Sequence, residues 1–249
     1  MSDYLTENRV AIAAANNADL CQAIFDAHGL AYRRLPENHC LAVLQTPPPF
    51  YPNLVTLSAG DAGAQLAELT AIAALTPGPL VVKDSFARFD LSYHDFHVNQ
   101  KADWIWRAPQ LPEADTDPAT TGWRRVETAD DLAAWERAWA DTGTPRDHQV
   151  FPPALLDHPD ISIHARTEEG RITAGCLLNH SESCIGLSNI FALDPTDRLV
   201  GQIAALATQL APHKPLVGYE AGDALARMLR IGFASVGPLK IWRAEAPRF

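Results

Sequence analysis

The sequence predicts an α/β (α+β) protein built as two tandem domains, each a mixed, twisted β-sheet flanked by helices. Three observations predict it. First, the second half repeats the first without gaps at an offset of 136 residues: Cys40-Leu41 aligns with Cys176-Leu177, Pro79-Leu80-Val81 with Pro215-Leu216-Val217, and Ile105-Trp106-Arg107-Ala108 with Ile241-Trp242-Arg243-Ala244. Tyr51 to Leu57 likewise aligns with Leu187 to Leu193. Solenoid repeats have periods of roughly 20–50 residues, so a repeat this long is a duplicated domain. Second, the segment 109–122 is rich in Pro, Asp and Thr with no apolar period, as expected of an exposed connector. Third, strand-like alternation and helix-like periodicity follow one another on both sides of it. The expected organisation is therefore a first domain over 1–108, a linker over 109–122 and a second domain over 123–249.

The elements are clearest in the second half. Trp123 to Val126 reads as a short strand. Thr128 can cap a helix over Ala129 to Ala140, with Leu132, Trp135 and Trp139 on one face. Arg146 to His158 reads as a loop or broken helix. Ile161 to Arg166 alternates as a strand, Glu168-Glu169-Gly170 is a turn, and Arg171 to Leu178 returns as a hairpin. Cys184 to Leu193 is a third strand. Leu199 to Leu210 carries a helical apolar face, Pro215 to Glu220 is a strand, and Asp223 to Arg230 is a helix that Gly232 can end. Two last strands lie near Ala234–Val236 and Leu239–Arg243.

Composition narrows the function. The chain has 249 residues, 47% of them hydrophobic, enough for real cores. No apolar run approaches the roughly 20 residues that cross a bilayer. The N-terminus lacks a basic n-region and an apolar h-region, so a cytoplasmic location is expected. Cys21, Cys40, Cys176 and Cys184 form no C-x-x-C pair and read as free thiols, with Cys176 and Cys184 buried in strands. A net charge of -10 argues against nucleic-acid and anionic-membrane binding.

The segment Leu193-Asp194-Pro195-Thr196-Asp197-Arg198-Leu199-Val200-Gly201-Gln202-Ile203 carries the most chemistry. A helix N-terminus offers unpaired N–H groups and partial positive charge, a glycine lets backbone approach a pyrophosphate, and Arg198 adds a cation. An apolar-x-Pro segment followed by Arg-x-x-Gly resembles the GNAT superfamily of acyl-coenzyme A N-acyltransferases. So does Gly232-Phe233 leading into the last strands. The resemblance spans Trp123 to Arg243, and Ile203 departs from it where the family prefers Gly or Ala. It implies that acetyl-coenzyme A or another acyl-coenzyme A is the cosubstrate. Asn189 to Leu193, with Phe191, Ala192 and Leu193 at its end, would offer a strand edge to the pantetheine arm. Arg198, Leu199, Val200, Gly201, Gln202 and Ile203 would receive the pyrophosphate. The first half has Asp61 and Gln65 in the equivalent stretch and no basic residue, so it reads as a degenerate copy.

Acyl transfer to an amine needs a group to take a proton. The tyrosine that many family members place four residues before the Gly-Phe glycine is Met228 here. Tyr219 and Glu220 are the nearest substitutes: Glu220 as base, Tyr219 as acid or hydrogen-bond donor. The alternative is that Tyr219 packs on a helix and that Glu220 and Asp223 cap it. Asn189, matched by Asn53, reads as a structural residue at a strand bulge. His94 and His97 have a metal-compatible spacing but no further ligands, so no metal is expected. Trp104, Trp106 and Trp242 read as core residues, and Pro47 to Pro52 as a rigid loop. The expected activity is acyl transfer from an acyl-coenzyme A to a small-molecule or protein amine held between the copies, with homodimerisation compatible. The rivals are a non-catalytic ligand-binding or scaffold protein with the same fold, and an enzyme using the coenzyme site for other chemistry.

Overall fold

The structure, a computed structural model, describes residues 2–35, 39–76, 78–111, 122–142 and 149–249. Most of the expected linker and part of the Arg146 to His158 loop lie outside the described residues. The chain divides into two compact units: 1–104 with 236–249, and 105–235.

The first unit opens with helix α1 (Ser2–Ala27). Strands β1 (Tyr32–Arg34), β2 (Cys40–Val43) and β3 (Leu54–Thr56) follow, then α2 (Ala62–Leu75) and β4 (Leu80–Asp84). Antiparallel pairing joins β1 to β2 and β2 to β3, and β3 runs parallel to β4. Strand β5 (His97–Arg107) starts in this unit and ends in the other. The strand beyond β4 comes from the far end of the chain. Residues Lys240 to Ala244 of β11 (Ala234–Ala244) pair antiparallel with β4. The sequence placed this segment in the second domain; its hydrogen-bond partners put it in the first unit. It is one continuous strand, not two, running through Gly237-Pro238. Trp242 and Ala244 accordingly join Leu54, Leu69, Ile72, Leu80 and Val82 in the first unit's core.

The second unit holds β6 (Trp123–Arg125), α3 (Ala129–Ala140), β7 (Ile161–Glu168), β8 (Arg171–His180), β9 (Ile185–Ala192), α4 (Asp197–Leu210), β10 (Leu216–Glu220) and α5 (Gly222–Arg230). The strand order is β10-β9-β8-β7-β6, antiparallel except between β9 and β10. Local chemistry accounts for the helix ends. The Thr128 side chain accepts from the Asp131 N–H and starts α3; Thr196 accepts from the Leu199 N–H and starts α4. Gly232, at φ 95, follows α5, and the Phe233 N–H bonds back to the Met228 carbonyl.

One sheet face packs on α4 and α5 through Cys176, Leu178, Ile185, Leu187, Ile203 and Met228. On the other, α3 lays Trp135 against Phe151 and Phe191, ring centroids 5.2 Å apart in each pair. Gly175 makes this possible, since a Cβ there would overlap the Trp135 indole and the Phe191 ring. All four cysteines are free and buried. Burial pushes the Cys176 thiol up and the Cys40 thiol up to about 12, so neither is a ready nucleophile near neutral pH. Among the described residues no helix is long and apolar enough to cross a membrane.

In the second unit the half-buried His180 joins buried Ser162 and His164 in a hydrogen-bonded chain. Ser162 Oγ lies 2.9 Å from His180 Nε2 and 3.1 Å from His164 Nε2. Burial, then the nearby charges of Arg125 and His180, lowers His164 to about 4. Burial, Lys214 and Arg125 lower His180 as well. Between about pH 4 and 6.5 the unfolded chain therefore binds more protons at position 164 than the folded one, and stability falls as pH drops through that window. The loss approaches about 3 kcal/mol. Thermal unfolding of His164→Gln and wild type should show a stability difference that shrinks from pH 6.5 to 4. A constant difference would contradict a neutral buried His164. Gly175→Ala should cost roughly 2–3 kcal/mol in denaturant melts, because the ring stack has nowhere to move.

Candidate active site

The site begins with a ladder that stops early. Strands β9 and β10 pair only at Leu216–Ile185 and Val217–Gly186. At the next position a Cβ on Gly218 would lie 2.9 Å from the Leu187 carbonyl oxygen. Two residues further along β9, Asn189 adopts φ 50. The β8–β9 register shifts here: Leu177 faces Ser188 but Gly175 faces Phe191, so β9 carries one extra residue. Such a bulge bends a strand and takes its backbone off the ladder. Asn189, whose side-chain amide donates to Ser188 Oγ at 3.1 Å, sits at this bulge.

Past the bulge lies a cavity of about 330 Å³. Ile190, Phe191 and Ala192 of β9 form one wall. Pro195 with Leu199, Val200 and Ile203 of α4 forms another. Ala224, Arg227 and Met228 of α5 form a third, Glu220 lies at the end of β10, and Thr142 comes from just beyond α3. Ile203, where the resemblance asks for Gly or Ala, is fully buried and supplies apolar floor.

Glu220 is half-buried in this apolar lining. Burial raises its carboxyl to about 7, against the opposing pull of the Arg227 guanidinium. Arg227 is only partly neutralised. Its Nε is buried without a hydrogen bond and stands 3.5 Å from Asp197 Oδ1. Asp197, in the first turn of α4, receives two hydrogen bonds from Arg230, at 2.7 Å and 2.8 Å. These hold its carboxyl below the usual range.

A second, more polar cavity of about 300 Å³ lies beside the same helix start. Arg198, Gln202, Leu193 and Thr196 line it, together with Arg166, Glu168, Thr173 and Asp194. The expected cosubstrate residues thus divide. Phe191, Ala192, Val200 and Ile203 line the strand gap, Leu193, Arg198 and Gln202 line the polar cavity, and Leu199 touches both. Gly201 lines neither, and the space a Cβ would take there is open. Tyr219 is not among the residues lining the strand gap, as alternation along β10 requires when Glu220 faces it. The two expected catalytic residues are therefore not brought together. Arg227 and Thr142 were missed. Arg227 was legible as the i+3 neighbour of Ala224, with Met228 at i+4, on one helix face. Thr142, distant in sequence, gave no signal.

The first unit pairs its parallel strands in a different register, Leu54–Val82 and Val55–Lys83, and polar side chains bridge them. Asn53 exchanges hydrogen bonds with Val81 through its N–H and its Oδ1, and Thr56 Oγ1 accepts from the Ser85 N–H. Gln65, in the position of Gly201, donates to the His39 and Ser58 carbonyls. Asp84, in the position of Glu220, is buried and accepts from the Arg88 and Phe89 N–H groups. Elsewhere in this unit, His94 Nδ1 lies 2.9 Å from the Arg248 carbonyl oxygen and its ring stacks on Phe249.

No protein-family model matches this sequence, and no curated protein matches it. Solved structures do. A GCN5-related N-acetyltransferase from Kribbella flavida superposes with a TM-score of 0.60 at 17% identity, over 94% of this chain and 95% of that one. The chain has the GCN5-related N-acetyltransferase fold. A conserved protein of unknown function from Staphylococcus epidermidis has the same TM-score of 0.60 at 11% identity, over 89% and 97% of the two chains. The N-myristoyltransferase of Saccharomyces cerevisiae, solved with myristoyl-CoA and inhibitors, superposes at 0.51 and 10% identity, over 77% of this chain and 58% of that enzyme.

The raised Glu220 carboxyl destabilises the folded chain as pH climbs from about 4.5 to about 7, since the fold retains a proton that the unfolded state gives up. Glu220→Gln should raise stability at pH 8 by about 2 kcal/mol after allowance for partial exposure, and by little at pH 4. Denaturant melts at both pH values test this; equal shifts would place Glu220 in solvent.

Proposed function

We propose that the second unit is an acyl-coenzyme A-dependent N-acyltransferase, with Glu220 as the general base. The observation that carries this reading is a carboxyl poised near pH 7 in a cavity opened by the parting of two parallel strands. The residues present fit the cosubstrate. The parted β9 edge can pair with an extended amide-bearing arm as another strand would. The apolar walls suit its aliphatic parts, and Arg227, whose Nε completes no hydrogen bond, with the exposed Arg198 suits its phosphates. The coenzyme would supply an activated acyl carbon and a thiolate leaving group.

The chain's own residues do the rest. Glu220, when ionised, takes the proton that an attacking amine must lose. Leu199, Val200, Ile203 and Met228 limit the water around it, which keeps its basicity near neutral. Met228 has no proton to give, so the thiolate leaves without a side-chain acid at that position. Tyr219 is the remaining acid candidate on β10. The first unit is a degenerate copy whose strand gap is closed by Asn53 and Thr56, and its contribution is structural. The cytoplasm is the compartment that suits four reduced thiols. A non-catalytic ligand-binding protein is the second reading. It is favoured by Met228 and by Asp197, which sets a carboxylate at the helix end where phosphate would approach.

Titration calorimetry with acetyl-coenzyme A should show micromolar binding to the wild type. Ala224→Trp, which fills the gap, should weaken it at least roughly tenfold, which is about 1.4 kcal/mol. Thiol release with amine acceptors should fall about 100-fold in Glu220→Gln with binding retained. A folded wild type that binds no coenzyme sinks this proposal; binding without turnover on any amine favours the second reading.

A further inference from the structure

Resting on the acyl-coenzyme A reading, a cluster at the cavity's mouth brings together residues from two helices. Asp197 opens α4, where the helix carries partial positive charge. Two arginines from the last turns of α5 converge on it. Arg230 grips both carboxylate oxygens in a fork, and Arg227 approaches one of them without completing a hydrogen bond. A planar fork on a carboxylate is also the geometry with which arginine holds phosphoryl oxygens.

The two arginines differ in what they face. Arg230 is half-exposed, and its pair with Asp197 stands in solvent. An exposed pair of this kind is worth about 0–1 kcal/mol, so it exchanges readily. Arg227 is largely buried and also lines the cavity that holds Glu220. A phosphoryl group arriving at this helix end would meet one carboxylate and two guanidinium groups already aimed at an anion. Thr196 already takes the Leu199 N–H, so Arg227 and Arg230 add donors to Arg198 and to the backbone N–H groups that remain at this helix start.

We propose that Arg227 and Arg230 form a phosphoryl-binding pair, with the Asp197 carboxylate as its resident anion, exchanged when a phosphorylated ligand enters the strand gap. Asp197 swings aside to water, and the arginine hydrogen bonds pass from carboxylate to phosphoryl oxygen. No covalent bond changes. Asp197 thus keeps the two cations together in the empty protein and sets how strongly the ligand must bind to displace it. The first half has Asp61 in the same position of the repeat, 3.4 Å from His39 and with no arginine partner among the described residues, so the pair is a feature of the second unit.

The test is calorimetry at fixed low salt with two probes, coenzyme A and inorganic pyrophosphate, on wild type, Asp197→Asn and Arg230→Gln, each checked for folding by thermal melt. Asp197→Asn should bind both probes roughly threefold to fivefold tighter, and Arg230→Gln roughly threefold to fivefold weaker. Coenzyme A binding that neither substitution alters overturns this pair and leaves the acyl-coenzyme A reading standing. Pyrophosphate binding that follows both substitutions, with no coenzyme A binding, supports the pair and sinks that reading. Neither probe binding to wild type or Asp197→Asn overturns both. Should Arg230→Gln fail to fold, Asp197→Asn decides alone.

Discussion

The arrangement of the second unit depends on a pair of parallel strands that bond for two residues and then part. Close approach of Gly218 to the Leu187 carbonyl holds the strands together up to that point. The left-handed Asn189 and the extra residue in β9 then turn that strand away. A β-bulge costs ladder hydrogen bonds, and it persists here because the flanking segments are pinned by burial. Phe191 is locked into the Trp135 stack on one face, while Ile203 and Met228 close the other. Glycine is required at 175 and 218 for the same reason: aromatic rings or a carbonyl occupy the space a side chain would need.

The first unit shows what happens without that constraint. Its strands have the same order and direction, yet polar side chains stitch β3 to β4 at both ends. Once Asn53 and Thr56 satisfy the neighbouring N–H groups, no edge is left for a ligand, and Gln65 bonds two carbonyls where Gly201 leaves open space. The carboxylates at positions 84 and 220 make the same point. Asp84 is consumed by two backbone N–H groups of its own turn, whereas Glu220 has no such partners among the described residues and faces a cavity. The identity of the residue is nearly the same; the available donors decide whether it is structural or reactive.

Charge inside the second unit is arranged by desolvation more than by pairing. Glu220 rises to about 7 although Arg227 stands near enough to oppose the shift, because the lining is mostly apolar. Arg227 in turn is drawn toward Asp197, which Arg230 already holds. The three charges at the mouth and the one carboxyl inside form a graded site: ionic and wet at the helix end, apolar and proton-holding at the strand end. That gradient suits a ligand with a charged head and an uncharged reactive tail.

Much of this was legible along the chain. Thr128, Thr196 and Gly232 mark helix ends through bonds to residues three to five positions away. The periodicity of Leu132, Trp135 and Trp139 gave the buried face of α3, and alternation and turn residues gave the order of strands and helices in the second half. Local geometry governs all of these, so local sequence suffices. Other features were not legible. The last strand pairs with β4, more than 150 residues earlier in the chain. Arg198 faces a different cavity from Val200, and Tyr219 and Glu220 point to opposite sides of one strand. Asp197 meets Arg230 across 33 residues. What the sequence by itself determined was the set of elements, their caps and their apolar faces. Only the tertiary structure decided which strand completes which sheet, where two strands part, and which charges then meet, because those outcomes depend on contacts between segments that no local rule brings together.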